Sequence, residues 1–263
     1  LRIGNISFQP SELVKLATIF FVAQAITVKR EKMKDVVLGI FPILLVVGAV
    51  TLFVLKQPDL GTSLVIIGAT LLMVFLGGAP FWSIFIISIL GLRILAWLAS
   101  RTPYQRARLI AFVNPWKDSQ GVGFHIIQSL MAVGSGGLFG LGLGHSKQKF
   151  AYLPQQFTDF IFAILCEEGG FILSSMVIFI FIFFIVRGFR VALKAPDRFG
   201  QILAAGLVTY LGLQIILNIS VVLGLLPTTG LPLPFISHGG TSMAVNLFAV
   251  GVMANISMHH LDN

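Results

Sequence analysis

Three carboxylates fall within ten positions of the stretch 152–171, YLPQQFTDFIFAILCEEGGF: Asp159, Glu167 and Glu168. The 263 residues hold only ten Asp and Glu, so this is a concentration in a sequence that otherwise avoids acids. A carboxylate with apolar neighbours at a membrane face holds its proton more tightly unless a cation offsets the burial, which is the condition of a general base. Asp159 is the candidate for that role. Thr158 before it and the apolar run after it fit a simpler reading equally well, that of a residue at a helix N-terminus. Glu167 and Glu168 stand where this short helix meets a longer apolar run, placed to cap, to bind a cation or to hold a loop.

Glu12 and Lys15 lie three apart, on one face of a helix and within pairing reach. A charge in mid-bilayer costs on the order of 3 kcal/mol, so the pair must face a bundle interior or a wet cavity. It either locks two helices as a neutralised pair or lines a polar cleft and orients another group, for which Asp159 is the natural choice. Asp59 in QPDLGT follows Pro58 and reads first as a helix cap, second as a group facing an outer cavity. The run 134–144, GSGGLFGLGLG, carries six glycines. Such a run allows close helix contact or a loop of backbone donors for phosphate, and HSKQK after it adds Lys147 and Lys149 as a candidate diphosphate clamp. Ser237 and His238, in PFISHGG, are carried as substrate-binding or site-supporting residues, although a lone histidine near a glycine pair is ordinarily a hydrogen-bonded structural residue. The single cysteine, Cys166, excludes an internal disulfide and a multi-cysteine metal site.

The elements that must position these residues are set by composition. With 56% hydrophobic and 11% charged residues, and a mean hydropathy of +0.95, there is too little polar surface to cover a soluble core. Apolar runs of the length that spans a roughly 30 Å hydrocarbon layer as helix, without the alternation of barrel strands, predict an all-α polytopic bundle. Seven crossings are expected, at 11–28, 36–55, 63–76, 81–99, 171–186, 202–226 and 243–258. The third is marginal unless 60–62 contribute. The segment 100–170 reads as one large external loop of a single membrane domain. Basic loops at 29–35 and 187–198 lie four crossings apart, hence on one side, which the positive-inside rule makes cytoplasmic together with the C-terminus. Arg101, Arg106, Arg108, Lys117, Lys147 and Lys149 then fall in the outer loop and become functional candidates. The net charge of +8 sits in short loops between spans, which points to anionic lipid or a phosphorylated substrate rather than nucleic acid.

Five ordered motifs carry a resemblance: QPSELVK at 9–15, QPDLGTS at 57–63, GFHIIQSLMAVGSGGLFGLGLG at 123–144, SKQKFAYLPQQFTDFIFAILCEE at 146–168 and PLPFISHGGTS at 232–242. Over its whole length the chain resembles the SEDS family of cell-wall proteins (shape, elongation, division and sporulation), with its RodA, FtsW and SpoVE types, and SKQKFAYLP sits closer to the division and sporulation types. The resemblance implies a ten-helix fold of which these are the fourth to tenth helices. It also implies a place in the bacterial cytoplasmic membrane, and polymerisation at its outer face of lipid II, a disaccharide-pentapeptide on undecaprenyl pyrophosphate, into β-1,4 glycan. Asp159 matches the aspartate considered catalytic, Glu12 and Lys15 the charged pair beneath it, and the implied partner is a class B penicillin-binding protein. Gln155, His238 and Gly170 depart from the family's usual acid, tyrosine and larger apolar residue.

The expected chemistry is a single displacement in which Asp159 takes the proton of the acceptor hydroxyl. Lys15, Lys147 and Lys149, or a divalent cation, would stabilise the departing diphosphate. Two rivals remain at this stage. A lipid-linked precursor flippase would need a polar path through to the cytoplasmic face, and a non-catalytic scaffold would function without Asp159.

Overall fold

The computed structural model describes residues 9–57, 59–119, 121–142, 144–146 and 158–259, with the backbone of 2–3 and 6–7. Two short strands, β1 (Arg2–Ile3) and β2 (Ile6–Ser7), pair antiparallel ahead of the helices. The helices are α1 (Pro10–Val28), α2 (Phe41–Lys56), α3 (Leu60–Leu76), α4 (Phe81–Arg101), α5 (Pro103–Val113), α6 (Val122–Ser135), α7 (Ile161–Lys194), α8 (Arg198–Val222) and α9 (Gly240–Met258). Six are long and apolar enough to cross a membrane, α2 together with the π-helical turn Val36–Ile40 before it. The seventh expected crossing is α3, whose 17 residues begin at Leu60 because Asp59 caps it, its carboxylate accepting the Thr62 N–H at 2.9 Å. The capping reading of Asp59 is therefore the one observed, and it brings 60–62 into the helix.

The chain forms two compact units. The first contains 1–97, 184–213 and 240–263. In it α1 packs on α3, α2 and α9, and small residues permit the approach: a Cβ at Gly206 would lie 2.6 Å from the Met73 sulfur, and one at Gly68 would lie 2.7 Å from Leu213. α4 belongs mostly to this unit and buries only 6% of its apolar window, so its surface is matched to lipid tails.

The second unit contains 98–183 and 214–239. The described residues of 100–170 are built: α5 packs on α6, a 3-10 turn at Pro115–Asp118 packs on both, and the short helix expected before the span at 171 starts at Ile161 and runs into that span across a kink at Gly170. The core here gathers Ala132, Phe160, Phe162, Cys166, Val222 and Leu233.

The glycine run 134–144 is explained by close backbone contact. A Cβ at Gly136 would fall 2.0 Å from the Cys166 carbonyl oxygen and one at Gly140 would fall 2.1 Å from that of Glu168. Leu141 and Gly142 donate their N–H groups to the carbonyls of Glu167 and Glu168, both at 3.0 Å, while Phe171 donates to Gly137 at 2.9 Å. These amides are thus spent on α7 and do not form a phosphate cradle. The exchange breaks α7 at Gly170, which has φ 65° and ψ −166°, a region essentially reserved for glycine. A methyl there would also meet the Gly140 nitrogen at 2.3 Å. Gly170→Ala is expected to cost at least about 2 kcal/mol and to lower the melting temperature in detergent, whereas Gly134→Ala, with nothing within 4 Å, leaves it unchanged.

Candidate functional site: the cavity at Asp159

Asp159 sits at the turn that feeds α7, half-buried, on a cavity of about 280 Å³ within the second unit. Its position is fixed through the backbone. The Asn218 side-chain amide, from α8, donates to the Asp159 carbonyl at 2.8 Å and to the Leu231 carbonyl at 2.7 Å. The Ser237 hydroxyl donates to the Thr158 carbonyl and accepts the Leu233 N–H, the latter at 2.7 Å. Two consecutive carbonyls are thereby held, that of Asp159 by α8 and that of Thr158 by the proline-rich link after it, and the same Asn218 amide ties the link's Leu231 carbonyl to α8. Gly230, at φ 78°, brings that link close: a Cβ on it would lie 3.7 Å from Asp159 Oδ2.

Opposite the link stand residues of α5 and α6. Arg108 and Tyr104 of α5 and His125 of α6 line the cavity with Thr228 and Thr229. The Arg108 guanidinium donates to the Thr228 carbonyl at 3.0 Å and to the Tyr104 hydroxyl, and its carbon lies 4.4 Å over the Tyr104 ring. Two of five N–H donors are occupied by these bonds, which leaves capacity for ligand oxygens. The His125 ring stacks on Phe160 with centroids 5.9 Å apart. Its Nδ1 and the Oδ1 of Asn218 are buried without a hydrogen-bond partner. Two unsatisfied polar atoms at one cavity are an exception among buried groups and mark it as a place for a polar ligand.

Burial, reinforced by the Arg108 guanidinium, lowers the His125 pKa below its ordinary value of 6.5. The imidazole is therefore neutral at pH 7, and the unfolded chain binds the proton first as pH falls. Stability contributed by neutral His125 is present above about pH 6.5 and declines below it, toward the lowered folded value. The melting temperature is expected to drop as pH is taken from 7 to about 5, with a shallower drop in His125→Gln.

The other expected residues are distributed as follows. Glu12 and Lys15 pair at 2.8 Å in the first unit, at side-chain exposures of 1% and 0%. Lys15 also lies 5.2 Å over the Tyr210 ring, and Tyr210 donates to Asn246 at 2.6 Å. The pair is buried with the Tyr210 ring of α8 beside Lys15, an arrangement that fits a neutralised pair locking helices together. His238 is exposed and does not line the Asp159 cavity. Lys147 and Lys149 lie outside the described residues. Glu167 holds the loop, accepting from the buried Ser146 hydroxyl. Of the residues that meet Asp159 here, Arg108 was expected only as one of six candidate bases of the outer loop, and His125 and Asn218 were not singled out by type or spacing. Asn218, a lone amide inside an apolar span, and Arg108, a base in a long polar segment, carried the available signal.

Long apolar helices, a sealed polar network in one unit and a carboxylate cavity in the other define a multi-pass α-helical membrane protein with a built polar site. The chain belongs to the FtsW/RodA/SpoVE family, described as Cell cycle protein, whose sequence model matches residues 1–262. It is 45% identical over 259 residues to the stage V sporulation protein E of Bacillus subtilis, covering 98% of this chain and 71% of that one. It is 44% identical over 257 residues to a probable peptidoglycan glycosyltransferase FtsW of Geobacter sulfurreducens, covering 98% and 69%. Among solved structures it resembles a chain of a peptidoglycan synthase complex that coordinates polymerisation and crosslinking, with TM-score 0.76, 29% identity and coverage of 100% and 74%. It also resembles the rod shape determining protein RodA of Thermus thermophilus, with TM-score 0.64, 26% identity and coverage of 99% and 69%.

Proposed function

We propose that this chain is a peptidoglycan glycosyltransferase that polymerises lipid II, with Asp159 as the general base. The observation that carries the site assignment is the pinned carboxylate facing a cavity that also holds Arg108. The acceptor sugar hydroxyl gives its proton to Asp159 as its oxygen bonds to the donor's anomeric carbon. The bond from that carbon to the diphosphate oxygen breaks, and the electron pair leaves with the diphosphate. One base and a stabilised leaving group suffice for inversion, and no second carboxylate is needed.

Charge stabilisation falls to Arg108, whose planar fork matches phosphate oxygens and whose orientation is set by Thr228 and Tyr104. Lys15 is buried in its pair with Glu12, and Arg108 is the base that lines the cavity. Among the described residues lining the cavity, Asp159 supplies the carboxylate, so a divalent cation bound there would take Asp159 as ligand and compete with its use as base. Asn218 Oδ1 and His125 Nδ1 are placed to orient sugar hydroxyls. Ser237 acts through the backbone of Thr158.

The reading places the cavity at the outer face of the bacterial cytoplasmic membrane, with the C-terminus cytoplasmic, on the strength of the basic loops at 29–35 and 187–198. A class B penicillin-binding protein is the partner, which would crosslink the strands made here. The test is polymerisation of purified lipid II by the protein with that partner, run beside a lipid-scrambling assay on the same samples. Glycan that requires Asp159 supports the polymerase. Scrambling without glycan would replace it with the flippase.

A further inference from the structure

A second cavity, of about 230 Å³, lies in the first unit and is lined by Arg187, Arg190, Val191 and Lys194 of α7 with Ser257 of α9. The three bases are spaced three and four residues apart, which sets them along one side of the helix. No carboxylate lines this cavity among the described residues. Asp197, just beyond, is committed to starting α8, its carboxylate accepting the Gly200 N–H at 2.9 Å.

The depth of the cavity selects the ligand. Beyond its break at Gly170, α7 runs on to Lys194, about 36 Å of helix at 1.5 Å per residue, longer than a roughly 30 Å hydrocarbon layer. Its apolar run gives way to bases at Arg187, and α9 ends at Met258, next to Ser257. Two spans therefore leave the hydrocarbon at this cavity, at headgroup level. Leu193, 80% exposed beside the bases, presents an apolar side chain at the same level. The Ser257 hydroxyl donates to the Ala254 carbonyl at 2.7 Å, so its oxygen is left to accept from a ligand hydroxyl. From this convergence we infer that the Arg187–Arg190–Lys194 cavity binds the headgroup of an anionic phospholipid, phosphate on the bases and a headgroup hydroxyl on Ser257.

The full chain, stripped of lipid in detergent, is titrated with phosphatidylglycerol, phosphatidylcholine or inorganic phosphate, and bound ligand is read by native mass spectrometry. Wild type is expected to hold phosphatidylglycerol in preference to phosphatidylcholine. The triple substitution R187Q/R190Q/K194Q is expected to lower phosphatidylglycerol retention about tenfold or more. The charge-matched control K29Q/R30Q/K32Q leaves it unchanged, and thermal melts of both triples match wild type. Equal retention of the two lipids by wild type overturns the assignment, as does an equal fall in the control, which would make the effect one of general basic charge. Displacement of phosphatidylglycerol by an equal concentration of inorganic phosphate overturns the lipid in favour of a free anion.

Discussion

Asp159→Asn is expected to lower the rate of glycan polymerisation about 10²- to 10⁴-fold, the range that a positioned general base contributes. The substitution is nearly isosteric, and the bonds from Asn218 and Ser237 run to the backbone carbonyls of Asp159 and Thr158, so the turn keeps its supports. The loss should appear in kcat with little change in KM, because the group acts on a proton that moves only in the transition state. Asp159→Glu tests the same claim by geometry. It keeps the carboxylate but displaces it by a methylene from a backbone that cannot follow, and a misplacement of about 1 Å is worth on the order of 10² in rate. Melting curves of both variants in detergent should overlay wild type. Equal glycan from Asp159→Asn and wild type would remove the base from the mechanism.

The spans were legible in the sequence because the bilayer imposes their length. The marginal case, α3, was settled by Asp59, whose cap adds 60–62 to the helix. The junction within α7 was legible, because a short helix ending at Glu167 and Glu168 was expected to meet a span starting at 171, but its cause was not. An apolar helical pattern runs through 161–194, and nothing local announces that Gly136 and Gly140 will press backbone against Cys166 and Glu168 and turn Gly170 into the left-handed region. Both halves of that contact had been noticed, the glycine run and the departure at Gly170, but their pairing is tertiary. The site shows the same division. Asp159 stood out by the rarity of acids, whereas Arg108, His125 and Asn218 are brought together only when α5, α6, α8 and the link after it enclose one cavity. Lys15 was a reasonable choice for a phosphate ligand by charge alone. That it is buried in a pair with Glu12 is something periodicity cannot report.

Lys15→Met is expected to destabilise the protein by about 3–5 kcal/mol, the cost of leaving one charge of a buried pair without its partner. Glu12 would then keep a carboxylate in an interior where Oε2 already has no hydrogen-bond partner. In a protein of this size the change corresponds to a fall of roughly 6–20 °C in melting temperature, read in detergent. Glu12→Gln alone should cost a similar amount, since it takes the paired carboxylate away from a buried ammonium. The double substitution Glu12→Leu/Lys15→Met removes both charges and keeps the volume, so it should recover most of the loss, a buried pair being close to neutral against well-packed apolar residues. The activity of that double variant separates the two readings of the pair. If the ion pair only locks α1 into its unit, polymerisation returns with stability. If its charge is used by the reaction, a protein that melts like wild type will still make no glycan. The seal around Lys15 and Glu12, both 1% exposed, favours the first outcome.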